Sequence, residues 1–138
     1  MDATVYVNKA TLDYARRKAR NCPHEIHAYL IGEVLYPNRI IISSIEHARE
    51  YESQTKYSVQ PTAAEFSRVA KIAEDKGKRI IGDVHSHPDY EAIMSPDDHR
   101  ACVEDGLQIC GIISIRERRT SVRFWLVNSA LPCAIKYL

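Results

Sequence analysis

Two patterns of apolar residues alternate along this chain, and together they predict an α/β protein. Apolar residues that recur every three or four positions indicate a helix with one buried face, and runs of β-branched residues indicate a buried strand. A helix is predicted over residues 9–20, with Asn8 as its N-cap. The isoleucine-rich run at 39–45 predicts a strand.

The same alternation continues to the end of the sequence. Pro61 opens a helix that is expected to run to about Lys76. A strand that carries Glu25 is expected to follow the first helix. The other predicted elements are strands at 79–84, 109–116, 121–127 and 133–137, and a helix from Ser95 to about Asp105. We therefore predict a single domain, residues 1–138, in which helices flank a mixed β-sheet.

One stretch breaks this pattern. Residues 47–57 are polar and charged and show no hydrophobic period, which predicts a surface loop between the second strand and the next helix.

Composition restricts the classes of function. A chain of 138 residues can form one domain that buries on the order of two-thirds of its unfolded surface. Nineteen basic and 18 acidic residues give a net charge of +1, so no overall field favours nucleic acid or a membrane surface as a partner. The sequence has neither an apolar run of about 20 residues nor a signal pattern, and a cytoplasmic location is therefore expected.

The cysteines lie in separate parts of the sequence. They are Cys22, Cys102, Cys110 and Cys133. The chain contains no Cys-x-x-Cys pair, which argues against a second zinc site built on cysteines. Reduced, buried thiols are the expectation, and a disulfide is the alternative if the source is a hyperthermophile.

The chemistry is concentrated where the strand at 79–84 ends. His85 and His87 follow this strand, and alternate residues of a strand share a face, so both imidazoles point the same way. Pro88 then ends the hydrogen-bonding pattern. Asp98 lies eleven residues after His87. Two imidazoles and one carboxylate form the ligand set of a catalytic zinc ion that keeps one position open for water.

The carboxylate lies at a predicted helix start. Ser95 at the N-cap, Pro96 at the first helical position and Asp98 at the third form a variant of the capping box. Capping alone would explain Ser95 and Asp98, and a histidine at a strand end is often only a satisfied polar residue. Their joint occurrence favours a metal site. Asp97 and His99 are alternatives for the third ligand, although we expect Asp97 to point elsewhere and His99 to face solvent.

These residues resemble the signature of a known family. The pattern His-x-His-Pro, seven residues, Ser-x-x-Asp is that of the JAMM (MPN+) metalloproteases, and His85, His87, Ser95 and Asp98 match it here. The resemblance covers nearly the whole chain and implies a cytidine-deaminase-like fold with one zinc ion per chain.

The family also places a glutamate upstream, in a segment that reads Glu-x-x-small-x-apolar-x-Gly. Residues Glu25 to Gly32 fit this pattern, and Glu33 is a weaker candidate. The resemblance implies that Glu25 is the general base and that Ser95 donates to the oxyanion. The capping pattern assigns the Ser95 side chain to the helix N-terminus instead, so both roles stay open.

The chemistry of such a site can be stated from its residues. A zinc ion held by His85, His87 and Asp98 would lower the pKa of its water from about 15.7 toward roughly 7. Glu25 could take the proton of this water and pass it to the leaving amine. Non-haem iron also uses two histidines and one carboxylate, although zinc is favoured over calcium or magnesium.

The resemblance implies a zinc-dependent isopeptidase or peptidase that cleaves after the C-terminal Gly-Gly of a ubiquitin-like modifier or sulfur-carrier protein. Gly106 leads directly into the next strand, which leaves no room for the insertion of ubiquitin-chain-specific members, and this indicates a compact prokaryotic-type member. One alternative is a zinc metallopeptidase of cell-wall or phage-tail peptides. A second is a non-catalytic MPN scaffold. A bacterial family associated with DNA-repair loci usually reads His-Asn-His-Pro-Ser-Gly, from which this chain departs.

The expected substrate partner is a small β-grasp protein, whose glycine tail would bind as an extended strand at a sheet edge. We expect residues 48–57 to lie along this groove and to become ordered when the tail binds. The oligomeric state is left open, with a dimer as one option.

Overall fold

The computed structural model describes residues 2–138, which form three helices and nine strands. The helices are α1 (Lys9–Arg20), α2 (Ala63–Asp75) and α3 (Pro96–Glu104). The strands are β1 (Thr4–Val7), β2 (His27–Leu35), β3 (Arg39–His47), β4 (Tyr51–Gln54), β5 (Val59–Pro61), β6 (Arg79–Pro88), β7 (Ile109–Arg116), β8 (Arg119–Leu126) and β9 (Ala134–Tyr137). Within these residues, no helix is both long and apolar enough to cross a membrane.

Seven of the strands form one mixed sheet in the order β8-β7-β6-β2-β3-β1-β9. The pairs β1–β3, β1–β9 and β6–β7 are parallel, and the other neighbours are antiparallel. The predicted mixed sheet flanked by helices is therefore confirmed. β6, which is an interior strand of this sheet, carries the two histidines of the motif.

The helices cover both faces of the sheet. Leu12, Ala15 and Ala19 of α1 are fully buried in the main apolar cluster, together with Val84 of β6. The opposite face is covered by α2, which buries Val69 and Ala73, and by α3, which buries Cys102. The histidines of β6 lie on this second face, and the apolar packing of α1 against the first face holds the strand that carries them.

The first helix follows its sequence signals closely. It spans the predicted residues 9–20, and the Asn8 side chain accepts hydrogen bonds from the backbone N–H groups of Ala10 and Thr11 at 2.9 and 3.3 Å. Its apolar face is buried, and its basic residues lie outward apart from the half-buried Arg16.

The structure corrects the predicted loop at 47–57. This stretch includes the end of β3 and all of β4, and β4 forms an antiparallel hairpin with β5. It also corrects the position of Glu25, which lies two residues before β2 and not on it. The backbone N–H of Glu25 donates to the carbonyl of Thr55 at 2.8 Å. At this position the chain is therefore hydrogen-bonded to the hairpin and not to a strand of the main sheet. β1, which completes the sheet beside β9, was not predicted.

A buried carboxylate anchors the hairpin to α2. Glu65 accepts hydrogen bonds from the backbone N–H groups of Arg49 and Glu50, just before β4, and pairs with Arg68 Nε at 2.6 Å. The hydrogen bond from Arg68, aided by the two backbone donors, lowers the pKa of Glu65 to about 2 although burial opposes this. One side chain therefore holds the segment that leads into the hairpin.

Replacing Glu65 with glutamine should lower the free energy of unfolding by about 1.5–3 kcal/mol, since hydrogen bonds to a charged group are lost. The folded-state pKa of Glu65 lies below its ordinary value of 4.5, so its contribution is full above that pH and is lost as the pH falls toward 2. Urea unfolding at several pH values measures this difference. Glu74→Gln, at an exposed position of the same helix, is the matched control. Equal stability of wild type and Glu65→Gln at neutral pH would contradict the anchoring role.

Candidate metal centre and active site

Three side chains of the sequence motif meet between β6 and α3. His85 and His87 project from one face of β6, and Asp98 lies in the first turn of α3. The Nε2 atoms of the two histidines are 3.0 Å apart. Asp98 places Oδ1 3.1 Å from Nε2 of His85 and Oδ2 3.4 Å from Nε2 of His87. The structure therefore brings together all three residues that the sequence assigned to a metal.

The dimensions of this cluster fit a zinc ion. In a tetrahedral site with bonds of about 2.0–2.1 Å, neighbouring nitrogen and oxygen ligands lie about 3.3 Å apart. The imidazoles are almost fully buried, with 6% of His85 and 3% of His87 exposed. The carbonyl of Glu91 lies 2.6 Å from Nδ1 of His87, which fixes the ring proton there and leaves Nε2 free to bind a metal. The donor set and its spacing thus suit zinc.

Electrostatics favours a charged carboxylate in this cluster. Burial opposes ionisation of Asp98, but the hydrogen bonds from His85 and His87 outweigh it and hold the pKa of the Asp98 carboxyl well below its usual range. Burial also opposes protonation of His85, yet the bond to Asp98 raises the pKa of this imidazole. A metal ion that binds these ligand atoms would take the place of any proton held between them.

The start of α3 holds Asp98 in place. The Ser95 hydroxyl oxygen accepts from the Asp98 backbone N–H at 3.0 Å, and Asp98 Oδ2 accepts from the Ser95 N–H at 3.0 Å. The predicted capping box is therefore confirmed. Because the cap uses Ser95 as an acceptor, its O–H remains free to donate elsewhere. Capping and oxyanion binding by Ser95 are thus physically compatible.

Glu25 lies beside this cluster and is only 3% exposed. The next residue, Ile26, donates its N–H to the Ser86 hydroxyl at 2.8 Å, which ties this segment to β6. The Gln54 side chain donates to the Glu25 carbonyl at 2.9 Å. Burial raises the pKa of the Glu25 carboxyl, and a hydrogen bond from Tyr90 opposes part of that shift. A raised pKa makes this carboxylate a better proton acceptor than an exposed glutamate.

Sequence reasoning missed Tyr90. Its hydroxyl donates to Glu25 Oε2, and its ring stacks on His87 with centroids 4.2 Å apart and planes 16° apart. The Ser114 hydroxyl donates to the Tyr90 carbonyl and so fixes the backbone of this loop. The sequence carries one weak signal for it, an aromatic residue two positions after Pro88. Tyr90 links the upstream glutamate to a histidine of the cluster.

None of the alternative residues belongs to the ligand cluster. The Asp97 side chain is 86% exposed and pairs with Arg100, as expected for a residue on the helix surface. Glu33 forms an ion pair with Lys78 at 3.3 Å, away from the cluster. The expectation that His99 faces solvent was wrong. Its Nε2 lies 2.8 Å from the carbonyl of Val127, which turns the ring away from the cluster.

A cavity of about 300 Å³ opens between the hairpin and α3. Glu25, His85, Ser95 and Asp98 all line it. Its opposite wall is formed by residues 57–61, which include β5. Among the described residues, β4 is the sole partner of β5 in its sheet, so the second edge of β5 is unpaired. The cavity thus joins the cluster to an open strand edge.

The fold and the ligand cluster together define an MPN-type α/β domain. A JAB1/MPN domain protein from Archaeoglobus fulgidus superposes with a TM-score of 0.62 at 14% identity, covering 98% of each chain. A protein from Desulfitobacterium hafniense gives a TM-score of 0.76 at 17% identity, over 97% of this chain and 92% of that one. A protein from Salinibacter ruber gives 0.62 at 18% identity, over 90% and 80%. At these identities the likeness shows the fold alone.

The sequence itself identifies the family. The family model described as prokaryotic homologs of the JAB domain matches residues 8–128, and this chain belongs to that family. A search of curated proteins gives no match. The resemblance drawn from the motif and the predicted compact prokaryotic type are therefore confirmed.

Proposed function

We propose that this protein is a zinc-dependent isopeptidase or peptidase that cleaves after the C-terminal Gly-Gly of a ubiquitin-like modifier or sulfur-carrier protein. The observation that carries the proposal is the convergence of His85, His87 and Asp98 beside the buried carboxylate of Glu25. The proposal retains the cytoplasmic location and the small β-grasp partner expected from the sequence.

His85, His87 and Asp98 would hold the zinc ion. When bound, zinc lowers the pKa of a water and polarises the carbonyl of the scissile bond. Glu25, whose pKa is raised by burial, takes the proton of the attacking water and delivers it to the leaving amine. Tyr90 keeps Glu25 oriented through its hydroxyl. The free O–H of Ser95 donates to the oxygen that gains negative charge.

The hairpin supports a tail-binding role. The unpaired edge of β5 borders the same cavity as Glu25 and His85, and an extended peptide can add to such an edge through main-chain hydrogen bonds. A tail of glycines fits between a strand edge and a helix because it has no side chains that would clash with the walls of the groove. Since β4 and β5 already form a hairpin, the groove would be largely preformed, and this replaces the sequence expectation of a loop that orders on binding.

Two fusions of one β-grasp protein to a reporter test the substrate. One ends in Gly-Gly before the scissile bond and the other in Ala-Val. We expect the Gly-Gly fusion to be cleaved with a kcat/KM roughly 10–200-fold higher, because added methyl groups clash in a narrow groove. A sample stripped of metal by a chelator is the control, and its activity should return with zinc.

Each outcome has a distinct meaning. Equal turnover of the two fusions would contradict the glycine groove and favour a metallopeptidase of unrelated peptides. Cleavage of neither fusion by fully zinc-loaded protein would favour the non-catalytic scaffold.

A further inference from the structure

A second cluster of metal-ligating side chains lies next to the first, on the same elements. Asp83 precedes His85 by two residues on β6, and Cys102 follows Asp98 by four residues on α3. Cys110 lies on β7 directly beside Asp83 in the parallel register. The ligand atoms of Asp83, Cys102 and Cys110 all lie within 4.8 Å of one another.

The separations in this cluster have the size of a metal site. Zinc bonds of about 2.3 Å to sulfur and 2.0–2.2 Å to oxygen place tetrahedral sulfur and oxygen ligands about 3.6 Å apart. Cys102 Sγ lies 3.6 Å from Asp83 Oδ1. His27 Nε2 lies 3.0 Å from the other oxygen, Asp83 Oδ2. A ligating carboxylate is commonly oriented by such an outer hydrogen bond.

Cys102 and Cys110 pack in the apolar cluster that contains Leu107 and Ile112, but apolar packing does not explain the carboxylate of Asp83 beside them. Asp83 is buried, yet its polar contacts are an imidazole and a thiol, whereas buried carboxylates are normally paired with a full cation or a metal. Cys102 is the one buried residue of α3, and its Sγ lies against the Asp83 carboxylate. A metal bound to Cys102 would attach this helix to β6 and β7.

Two members of the cluster border the cavity described above. Asp83 and Cys102 both line the cavity of about 300 Å³ that also contains Glu25 and His85. The sequence offers no spacing signal for this site. Cys102 lies on α3 and Cys110 on β7, with a turn between them, so the two do not form a known metal-binding spacing.

We propose that Asp83, Cys102 and Cys110 form a second metal site, selective for a thiophilic divalent ion such as zinc, with His27 as the orienting partner of Asp83. Two thiolates and one carboxylate favour zinc, cobalt or cadmium over magnesium and calcium. Each thiol gives up its proton to solvent when the ion binds. The site ties α3 to the sheet one helical turn from Asp98, and it does not depend on the proposed hydrolysis.

Titration of the reduced, metal-free protein with cobalt(II) under anaerobic conditions distinguishes the two sites. The cluster of His85, His87 and Asp98 contains no sulfur, so cobalt there gives only weak visible bands. Cobalt at the cysteine site adds a thiolate-to-metal charge-transfer band in the near ultraviolet. We expect this band to appear with a second bound ion and to persist in His87→Ala, which lacks the first site.

Conservative variants make the assignment specific. Cys110→Ser and Cys102→Ser should each lower the charge-transfer band markedly, since one thiolate is lost, and the double variant should abolish it while the weak visible bands remain. Cys133→Ser, a half-buried cysteine outside the cluster, is the control and should keep both signals. His27→Gln should weaken cobalt binding at this site roughly 10–100-fold. The proposal is overturned if wild type shows no charge-transfer band in excess cobalt, or if the double variant Cys102→Ser/Cys110→Ser keeps the band.

Discussion

In a Cys110→Ser background, which excludes the proposed second ion, His85→Ala should retain less than about a tenth of the zinc bound by the parent protein, because one of three protein ligands is removed from a site that needs its full ligand set. Its hydrolytic activity should fall in parallel. The imidazole is 6% exposed and contacts both His87 and Asp98, so its removal takes a ligand from the centre of the cluster. Elemental analysis after dialysis against a weak chelator measures the loss, with the zinc-reconstituted parent protein as the reference.

Asp97→Ala is the matched control for this experiment. Asp97 is a carboxylate adjacent to Asp98, but its side chain is exposed and paired with Arg100. It should therefore keep the wild-type zinc content at the first site. Wild-type zinc in His85→Ala, measured with Cys110→Ser in the background to exclude the proposed second ion, would refute the ligand assignment.

The second large effect concerns proton transfer. Glu25→Gln should lower kcat by about 10²–10⁴-fold while the zinc content stays unchanged, because an amide cannot accept the proton of the attacking water. The substitution is nearly isosteric, and the glutamine carbonyl can still accept the hydrogen bond from Tyr90. The loss should therefore be chemical and not structural, and an unchanged melting temperature would support this.

Glu33→Gln provides the comparison for Glu25. Glu33 lies at the other end of the family-like segment and pairs with Lys78 near the surface, so its variant should cleave the Gly-Gly fusion at close to the wild-type rate. If Glu25→Gln were as active as wild type, the general-base assignment would be wrong, whatever the outcome for the metal.

The predictions that succeeded rest on local signals. The span of α1 and its Asn8 cap follow from helical period and capping chemistry within a few residues. The convergence of His85, His87 and Asp98 follows from strand alternation and a helix start, joined by a short loop. Side chains so close in sequence have few ways to be arranged, which is why the pattern alone could predict the candidate site.

The errors all involve contacts that are distant in sequence. The hairpin strands β4 and β5 have four and three residues, too few to show a period, and they depend on Glu65 of α2 for their anchorage. Glu25 leaves the predicted strand because its backbone pairs with Thr55. The bond from Tyr90 to Glu25 spans 65 residues. No local pattern encodes such tertiary contacts.

The capping box at Ser95 and Asp98 has a consequence for how related sequences should be interpreted. Asp98 satisfies the N-terminus of α3 whether or not a metal is present. A descendant that lost its metal could therefore retain both residues under selection for helix stability alone. The Nε2 atoms of His85 and His87 take no part in helix capping. Their short separation has no comparable structural role. The histidine pair, together with Glu25, is consequently the better diagnostic of an active relative, and the helix-start motif by itself is a marker of fold.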